Sequence, residues 1–366
     1  MKFPLSGVPK TWEEMSVPEI YRMTARNDRF LAVEERVEPG RQEKILIFCS
    51  NAQKDLLTGA DYWVADGTFE VVSNTLFYQL FIVHAISPLG ITVPCLYAFL
   101  PDKELTTYQR IFDFLKSDGV LPPKSLKTDF EKGIVRGFLN VYAGVPVTGC
   151  NTHFKRTIRR KLTSTEIGLA SLYSRNEALQ TLVRYTWGLS MVPIDEIIPL
   201  WEEFIRVEYE KMTDGDSFEG ENDAVDEWLG YFERAFIGAL NWRTGNRKQP
   251  MYPHAMWNKN REILSDDATT TNAAEGYNRA IKGSLPRNNT IWTLIKLLRN
   301  EENYNMIKLR DVALGKENNV STAPNSSRNL YKDQRTHDLK HLVAQFGSMS
   351  TSLFMDSLID FYNDIS

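Results

Sequence analysis

The stretch DYWVADGTFEVVSNTLFYQLFIVHAISPLGITVPCLYAFL, residues 61–100, decides the fold of this chain. It contains three apolar runs rich in β-branched and aromatic residues, at 62–72, 77–87 and 91–99, and turn-forming residues separate them. This pattern predicts three strands joined by short turns, so that each strand lies beside the previous one.

Outward from this stretch, the pattern alternates between helix and strand. Helical spacing of apolar residues marks 106–119 and 133–144, while 125–129 (SLKTD) and 145–150 (VPVTGC) are typical of short strands. Three strands followed by helix, strand, helix and strand is the element order of a ribonuclease H-like core. The fold class predicted is therefore mixed α/β.

Earlier in the chain, ILIFC at 45–49 predicts a further strand, and NAQKDLLTGA predicts a short helix with Asn51 as its N-cap. Downstream, two helices are predicted at 272–283 and 290–310. Residues 316–334 contain few apolar side chains and predict a flexible linker. The amphipathic segment 338–363 is expected to dock back onto the protein.

Strand character is lost between residues 163 and 265, where five of the eight tryptophans lie. We expect a large α-helical insertion between the fifth strand and the helix that carries Glu275, with its tryptophans packed in its own core. The sequence divides into an entry segment at 1–44, the first part of the core at 45–162, the insertion at 163–265, helices that complete the core at 266–312, and a linker and tail at 313–366.

Three acidic residues stand at the boundaries of predicted elements. Asp66 and Asp129 follow strands, and Glu275 opens a helix beyond the insertion. Neighbouring strand ends and an adjoining helix can gather carboxylates, whose oxygens are ligands of divalent cations. Two such cations about 3.5–4 Å apart can assist phosphoryl transfer. Taken singly, each acid is equally compatible with a turn or capping role.

The net charge of −4 conceals a segregation of charge along the chain. Residues 194–233 hold 14 acidic and two basic residues, whereas residues 240–310 hold 12 basic and six acidic ones. The segment KRTIRRK (155–161) has five basic residues in seven, and helical spacing puts its arginines on one face. A local basic surface favours a phosphate-backbone partner; a solvated helix face is the alternative. The DNA-contacting residues predicted here are Lys155, Arg156, Arg159, Arg160 and Lys161.

Composition bounds the remaining possibilities. The chain of 366 residues is 42% hydrophobic and 25% charged, as is ordinary for a globular protein. It has no run near the roughly 20 apolar residues that span a bilayer and no apolar segment typical of a secretion signal. Its three cysteines suit a reducing compartment. We expect a cytosolic or nuclear protein with no membrane partner.

Taken together and in this order, the segments resemble the Mutator-like (MULE) transposase domain from about Pro9 to about residue 312. The segments that carry the resemblance are PKTWEEMSVPEIYRMT (9–24), EKILIFCS (43–50), WVADGTFEVVSNTLFYQLFIVHA (63–85), SLKTDFEKG (125–133), GCNTHFKRTIRRKL (149–162), WNKN (257–260), TTNAAEGYNRAIKG (270–283) and TIWTLIKLL (290–298).

This resemblance implies a ribonuclease H-like fold and cut-and-paste DNA transposition in the nucleus. It implies that Asp66, Asp129 and Glu275 form a DDE triad that binds two Mg²⁺ or Mn²⁺ ions. Its partners would be the transposon ends and the target DNA, with a homo-oligomer forming on DNA. It also implies that Cys150 and His153 are the family's Cys-x-x-His element.

Several alternatives remain open on the sequence. Cys150 and His153 are expected to have a structural or DNA-facing role at the start of the basic helix. Half of a zinc site, with His254 as the nearest spare ligand, is the alternative, although two ligands are too few for one. Trp242 in NWRTGNRK is expected to pack in a core, and stacking on an extruded base is the alternative.

The chain also differs from the family near the third acid, where Asn272-Ala273 and Tyr277-Asn278 replace its usual Asn pair and Trp-His. No Cys/His set that could bind zinc precedes Cys49. A host-recruited or truncated derivative that binds DNA or protein without catalysis is therefore the second functional hypothesis.

Overall fold

The computed structural model describes residues 7–69, 76–87, 91–265, 272–286, 289–316 and 327–363. For residues 272, 273, 275, 327–333, 362 and 363 it describes the backbone alone. Contacts between Cα atoms divide the chain into two units. We call Met1–Val147 with Thr271–Ser321 the sheet unit, and Thr148–Thr270 with Thr322–Ser366 the helical unit.

The strands of the described residues form one seven-stranded mixed sheet. They are β1 (Leu31–Arg36), β2 (Lys44–Phe48), β3 (Tyr62–Phe69), β4 (Gln79–Ile86), β5 (Thr92–Leu100), β6 (Ser125–Thr128) and β7 (Val147–Gly149). Their order across the sheet is β1-β2-β5-β4-β3-β6-β7. In this spatial order, each strand from β1 across to β3 pairs antiparallel with its neighbour, whereas β3 pairs in parallel with β6. The predicted mixed α/β class is confirmed, and β3, β4 and β5 are the three predicted neighbouring strands.

Helices make up most of the rest of the described chain. They are α1 (Asn51–Gly59), α2 (Leu105–Ser117), α3 (Lys132–Val141), α4 (Asn151–Leu162), α5 (Ala170–Arg175), α6 (Glu177–Gly188), α7 (Ile197–Leu200), α8 (Arg206–Asp214), α9 (Asn222–Phe232), α10 (His254–Trp257), α11 (Asn260–Leu264), α12 (Asn272–Ser284), α13 (Ile291–Ala313), α14 (Ser327–Ala344) and α15 (Thr351–Asn363). Short 3₁₀ turns lie at Glu19–Tyr21 and Ile194–Glu196, and π-helical turns at Trp201–Ile205 and Glu233–Ile237.

Alternation along the strands supplies two separate cores, one on each face of the sheet. On one face, which we call the α2–α3 face, side chains such as Ile47 and Phe81 pack with residues of α1, α2 and α3. On the other, the α12–α13 face, side chains such as Phe48 and Ile82 pack with residues of α12, α13 and the N-terminal segment. Because both faces are covered, the central strands are apolar almost throughout.

The N-terminal part of the chain contributes a strand that the sequence did not predict. Residues 31–36 form β1, which extends the sheet beside β2. The N-cap of α1 is Ser50, not Asn51: its hydroxyl accepts from the Gln53 backbone N–H, while its own N–H donates to the Gln53 side chain. This reciprocal capping box satisfies two helix-end donors, so Asn51 is the first helical residue.

The helical unit is built around large aromatic side chains. Trp201, Trp228 and Trp257 are fully buried. The ring of Phe154 on α4 stacks on Trp257 with centroids 5.0 Å apart. Within this unit, the run from Ile194 to Asp214 is helical throughout, through 3₁₀, α and π turns.

The C-terminal segment differs from its prediction in part. Residues 327–334, expected to belong to a flexible linker, begin helix α14; residues 317–326 lie outside the described residues. The tail does dock back, as predicted: α15 packs against α6, where the Tyr185 hydroxyl donates to Asp356 Oδ1 at 2.7 Å. Among the described helices, none is both long and apolar enough to cross a membrane.

Candidate active site

The parallel pairing of β3 with β6 brings two of the predicted acids to neighbouring positions. Ala65 lies opposite Thr128 in this ladder, and the next residue on each strand is Asp66 and Asp129. Adjacent parallel strands lie about 4.8 Å apart. Both acids are partly exposed, whereas the residues that precede them are buried. The parallel register thus places Asp66, within β3, next to Asp129, which directly follows β6.

Hydrogen bonds to the following loop hold Asp129 in place. Its Oδ1 accepts from the backbone N–H of Glu131 at 3.1 Å. Glu131 in turn accepts from the Tyr108 hydroxyl at 2.6 Å, and that hydroxyl accepts from Gln79 Nε2 at 2.6 Å. Burial, and next the charge of Glu131, raise the pKa of the Tyr108 phenol, which keeps it a neutral donor. A buried chain of donors therefore links the Asp129 loop to the start of β4.

Gly67, directly after Asp66, lies against the same chain of contacts. A Cβ atom at this position would lie 2.5 Å from Gln79 Oε1. A side chain at residue 67 would therefore make the Gln79 amide shift.

Helix α12 meets β3 at the first acid. Asn278 Nδ2 donates to Asp66 Oδ2 at 2.7 Å, and Asn278 is buried. Its other amide atom, Oδ1, accepts no hydrogen bond from the described residues. Glu275 lies one turn earlier on the same helix. The side chain of Glu275 is outside the described residues, so its predicted convergence with Asp66 and Asp129 stays a prediction.

Beside this contact lies a cluster of polar rings that the sequence analysis did not single out. The Tyr97 and Tyr277 hydroxyls are 3.1 Å apart, and the ring of His84 meets that of Tyr277 edge to face at 5.4 Å. Burial raises the pKa of both tyrosines and lowers the pKa of His84 to about 4. His84 pairs with Val64, two residues before Asp66, so this neutral polar cluster adjoins the acid. Alternation of Leu80, Ile82 and His84 was the only sequence signal for it.

The side chains around the contact between Asn278 and Asp66 carry oxygen atoms that are suited to bind a hard divalent cation. Asp66 and Asp129 supply carboxylate oxygens, and the buried amide oxygen of Asn278 is of the type that such cations bind. Within the described side chains, no group of three His, Cys, Asp or Glu residues is arranged to hold a metal ion. A third carboxylate would have to come from Glu275.

The helical unit carries the predicted basic residues on one stripe of α4. Phe154, Ile158 and Leu162 are buried on the helix's inner side. The outer side lines an open groove of about 470 Å³, which the indole of Trp187 from α6 also lines. We call it the α4–α6 groove. Its lining residues are Thr152, Lys155, Arg156, Arg159, Arg160, Thr163 and Trp187.

Two of the five basic residues behave differently from the arginines. Lys155 holds its ammonium 5.5 Å from the centre of the Trp187 ring, and burial lowers its pKa to about 7. Lys161 does not line the groove. It forms an ion pair with Glu166 and lies 5.4 Å from the Tyr231 ring centre. The structure therefore groups four of the five predicted cations, and Lys161 has a local partner.

The Cys-x-x-His residues lie at the start of α4. Cys150 is its buried N-cap residue and His153 stands one turn later. The spare ligand considered for zinc, His254, bonds through Nε2 to the Ile237 carbonyl at 3.1 Å. Its pKa is lowered, chiefly by burial. In the part of the chain that the structure describes, none of these residues belongs to a group of three His, Cys, Asp or Glu side chains that could hold a metal ion.

The expectation that Trp242 packs in a core is wrong. Its side chain is 80% exposed, in a tight turn where the Asn241 carbonyl accepts from Gly245 N–H at 2.8 Å. The Arg243 guanidinium lies over its ring at 4.9 Å. Arg247 fixes the base of the turn through ion pairs with Glu202 and Glu233. Apolar character alone predicted burial, but the turn projects the ring into solvent.

One segment of the chain matches a known protein family. Residues 62–157 match the family model of the MULE transposase domain. A search of curated proteins found no match. A similar solved structure is the Drosophila P element transposase strand transfer complex, at 12% identity and a TM-score of 0.24, covering 85% of this chain and 80% of that chain.

Proposed function

We propose that this chain, which carries a MULE transposase domain over residues 62–157, is a DDE transposase that cleaves and joins DNA strands with divalent metal. The sheet unit would then be a ribonuclease H-like core, and residues 163–265 the helical insertion within it. The observation that carries the proposal is the adjacent placement of Asp66 and Asp129 on paired parallel strands.

In this proposal Asp66, Asp129 and Glu275 hold two Mg²⁺ or Mn²⁺ ions. When bound, such ions would neutralise charge on the phosphodiester during an in-line displacement. The protein's own residues supply orientation. Asn278 fixes one oxygen of Asp66, and the Glu131 backbone N–H fixes one oxygen of Asp129. Carboxylates held in this way need little reorganisation when the substrate arrives.

DNA is the proposed partner, both as transposon ends and as target, with assembly of a homo-oligomer on DNA in the nucleus. Phosphate contacts would come from Arg156, Arg159 and Arg160, whose side chains line the α4–α6 groove. Replacing all three with Ala is expected to weaken binding alike for every DNA sequence and to flatten its salt dependence. Phosphate contacts supply affinity without sequence information.

The experiment is Mn²⁺-dependent nicking of supercoiled plasmid, which requires no knowledge of the transposon ends. Asp66→Asn, Asp129→Asn and Glu275→Gln should each slow nicking at least about 100-fold, because outer-shell changes alone cost about 10–100-fold at metal sites. Asp61→Asn is the matched control: it lies at the opposite end of β3 and forms an ion pair with Lys124 at 2.8 Å. DNA binding should persist in all four variants.

A second function is favoured by one observation. Asn278 lies in the segment where this chain differs from the family, and it donates a hydrogen bond to an oxygen of Asp66. A recruited derivative that binds DNA or protein without cutting would tolerate this contact. It predicts that wild-type protein binds DNA but does not nick it, and that Glu275→Gln behaves identically; this result would overturn the enzyme proposal.

A further inference from the structure

The lining of the α4–α6 groove combines two kinds of surface that bind different parts of a nucleotide. Along α4, the residues at 152, 155, 156, 159, 160 and 163 recur at spacings of three and four, so they form one continuous stripe. The stripe rises about 16 Å from Thr152 to Thr163 at about 1.5 Å per residue. Trp187 of α6 contributes an aromatic ring to the same lining. Basic side chains and an aromatic ring therefore line one groove.

The lining of this groove favours a single strand over intact duplex. Contacts to the outside of duplex DNA need cations alone, whereas here an aromatic ring lies among the cations. The volume of about 470 Å³ is within the size range of small-molecule sites. Arg156, Arg159 and Arg160 are exposed, whereas Lys155 is partly buried against Trp187. An unpaired base can lie on this ring, but a base stacked in a duplex has both of its faces covered.

We propose that the α4–α6 groove binds a phosphate-bearing unpaired nucleotide of a DNA strand. The arginines and Lys155 contact its phosphates, and the indole of Trp187 contacts its sugar or base. This inference rests on the proposed DNA-processing function and names the strand form that the helical unit recognises. Aromatic side chains beside cationic grooves bind single strands without sequence preference, because every base has a π-face.

The burial of Lys155 is consistent with this assignment. Lys155 is partly buried beside the Trp187 ring, and this burial lowers its pKa. A phosphate group beside it would favour the charged form and recover part of that desolvation cost. Lys161, on the same helix but paired with Glu166 outside the groove, offers a natural comparison.

The test measures binding of fluorescent 12-nucleotide strands to the full chain in EDTA, so that it does not depend on metal or cleavage. Lys155→Met keeps the length of the side chain and can pack on Trp187. It should weaken single-strand binding about tenfold and lower the salt slope by about 0.7, the value for one phosphate contact on a single strand. Lys161→Met should change affinity less than about twofold. Lys155→Arg, which keeps the positive charge, should bind about as tightly as the wild type. Thermal melting of each variant checks the fold.

Three results would overturn the inference. Equal losses in Lys155→Met and Lys161→Met would mean diffuse attraction. If blunt duplex bound more tightly than single strand, with the same dependence on Lys155, the groove would bind the outside of a duplex. Competition by thymidine monophosphate at concentrations equal to the strand's would assign the groove to free nucleotides. Failure of plasmid nicking would leave this test unaffected, so the two proposals can fail separately.

Discussion

The two faces of the sheet differ in kind. On the α2–α3 face, Trp63, Phe112 and Phe138 are fully buried and meet ring to ring. On the α12–α13 face, apolar packing is interrupted beside β3 by His84 and by Tyr97, which bonds to Tyr277 of α12. Around Trp63 the first face stabilises the fold by apolar burial, and its buried polar contact, Gln79 with Tyr108, lies toward the other end of the β3–β4 ladder. The second face buries polar groups at a cost in the middle of that ladder, beside Asp66.

This difference shows which face of the sheet supports the candidate site. Burying polar groups is tolerated when hydrogen bonds compensate them. The Asn278–Asp66 bond and the tyrosine pair provide such compensation on the α12–α13 face. Helix α12, which carries Glu275, is therefore held to the sheet partly by polar contacts. We expect its attachment to respond to pH, while the α2–α3 face does not.

The largest expected effect comes from breaking the apolar face. Trp63→Ala should lower the free energy of unfolding by about 3–5 kcal/mol. The substitution removes the contacts of Trp63 with Phe138 and Tyr142 and the Nε1–H bond to the Leu57 carbonyl at 2.9 Å. Urea unfolding at pH 7 and at pH 5 measures it, and the loss should be the same at both. A pH-dependent loss would contradict the division between the faces.

A smaller effect is expected from His84 as the pH falls. Burial holds its pKa near 4, below its ordinary value of 6.5. The unfolded chain therefore binds a proton between pH 6.5 and 4 that the folded chain does not. Stability is full above pH 6.5 and declines by about 3 kcal/mol as pH approaches 4. The difference between wild type and His84→Gln, followed by urea unfolding across this range, should show that slope. Parallel pH profiles would rule it out.

The smallest effect concerns the tyrosine pair. Tyr97→Phe removes one partner of the 3.1 Å contact and leaves the Tyr277 hydroxyl without it. A loss of about 1 kcal/mol is expected, the usual net value of one hydrogen bond. Phe99→Leu on the same strand is the apolar control for packing changes. Hydrogen exchange should locate the loss of protection in α12; a loss spread evenly over the sheet would argue against a local polar attachment.

The features predictable from sequence were those that depend on local pattern. β-Branched and aromatic runs located β3 to β5, and SLKT located β6 with Asp129 directly after it. Asp66 was also expected to follow a strand, but it lies within β3, which continues to Phe69. The features missed depend on tertiary partners. β1 contains LAVEER, whose charged end gives no strong strand signal until β2 pairs with it. Trp242 has the composition of a core residue, and only the turn geometry exposes it.

The candidate site shows the same limit. Arginine spacing predicted one face of α4, but separating Lys155 from Lys161 required Trp187 and Glu166, which neighbour them only in the folded unit. Nothing in the spacing marked Asn278 as the partner of Asp66, since 212 residues separate them. Long-range polar contacts of this kind are not encoded in periodicity.

The most direct test of the central claim is the thermal shift produced by Mn²⁺. A cation that binds only the folded protein stabilises it by about 2.7 kcal/mol at 100 times its Kd, which corresponds to several degrees for a protein of this size. Wild type and Asp61→Asn should both show this shift, and Asp129→Asn should abolish it with little loss of stability in the absence of metal. An unchanged shift in Asp129→Asn would place the cation elsewhere and contradict the account.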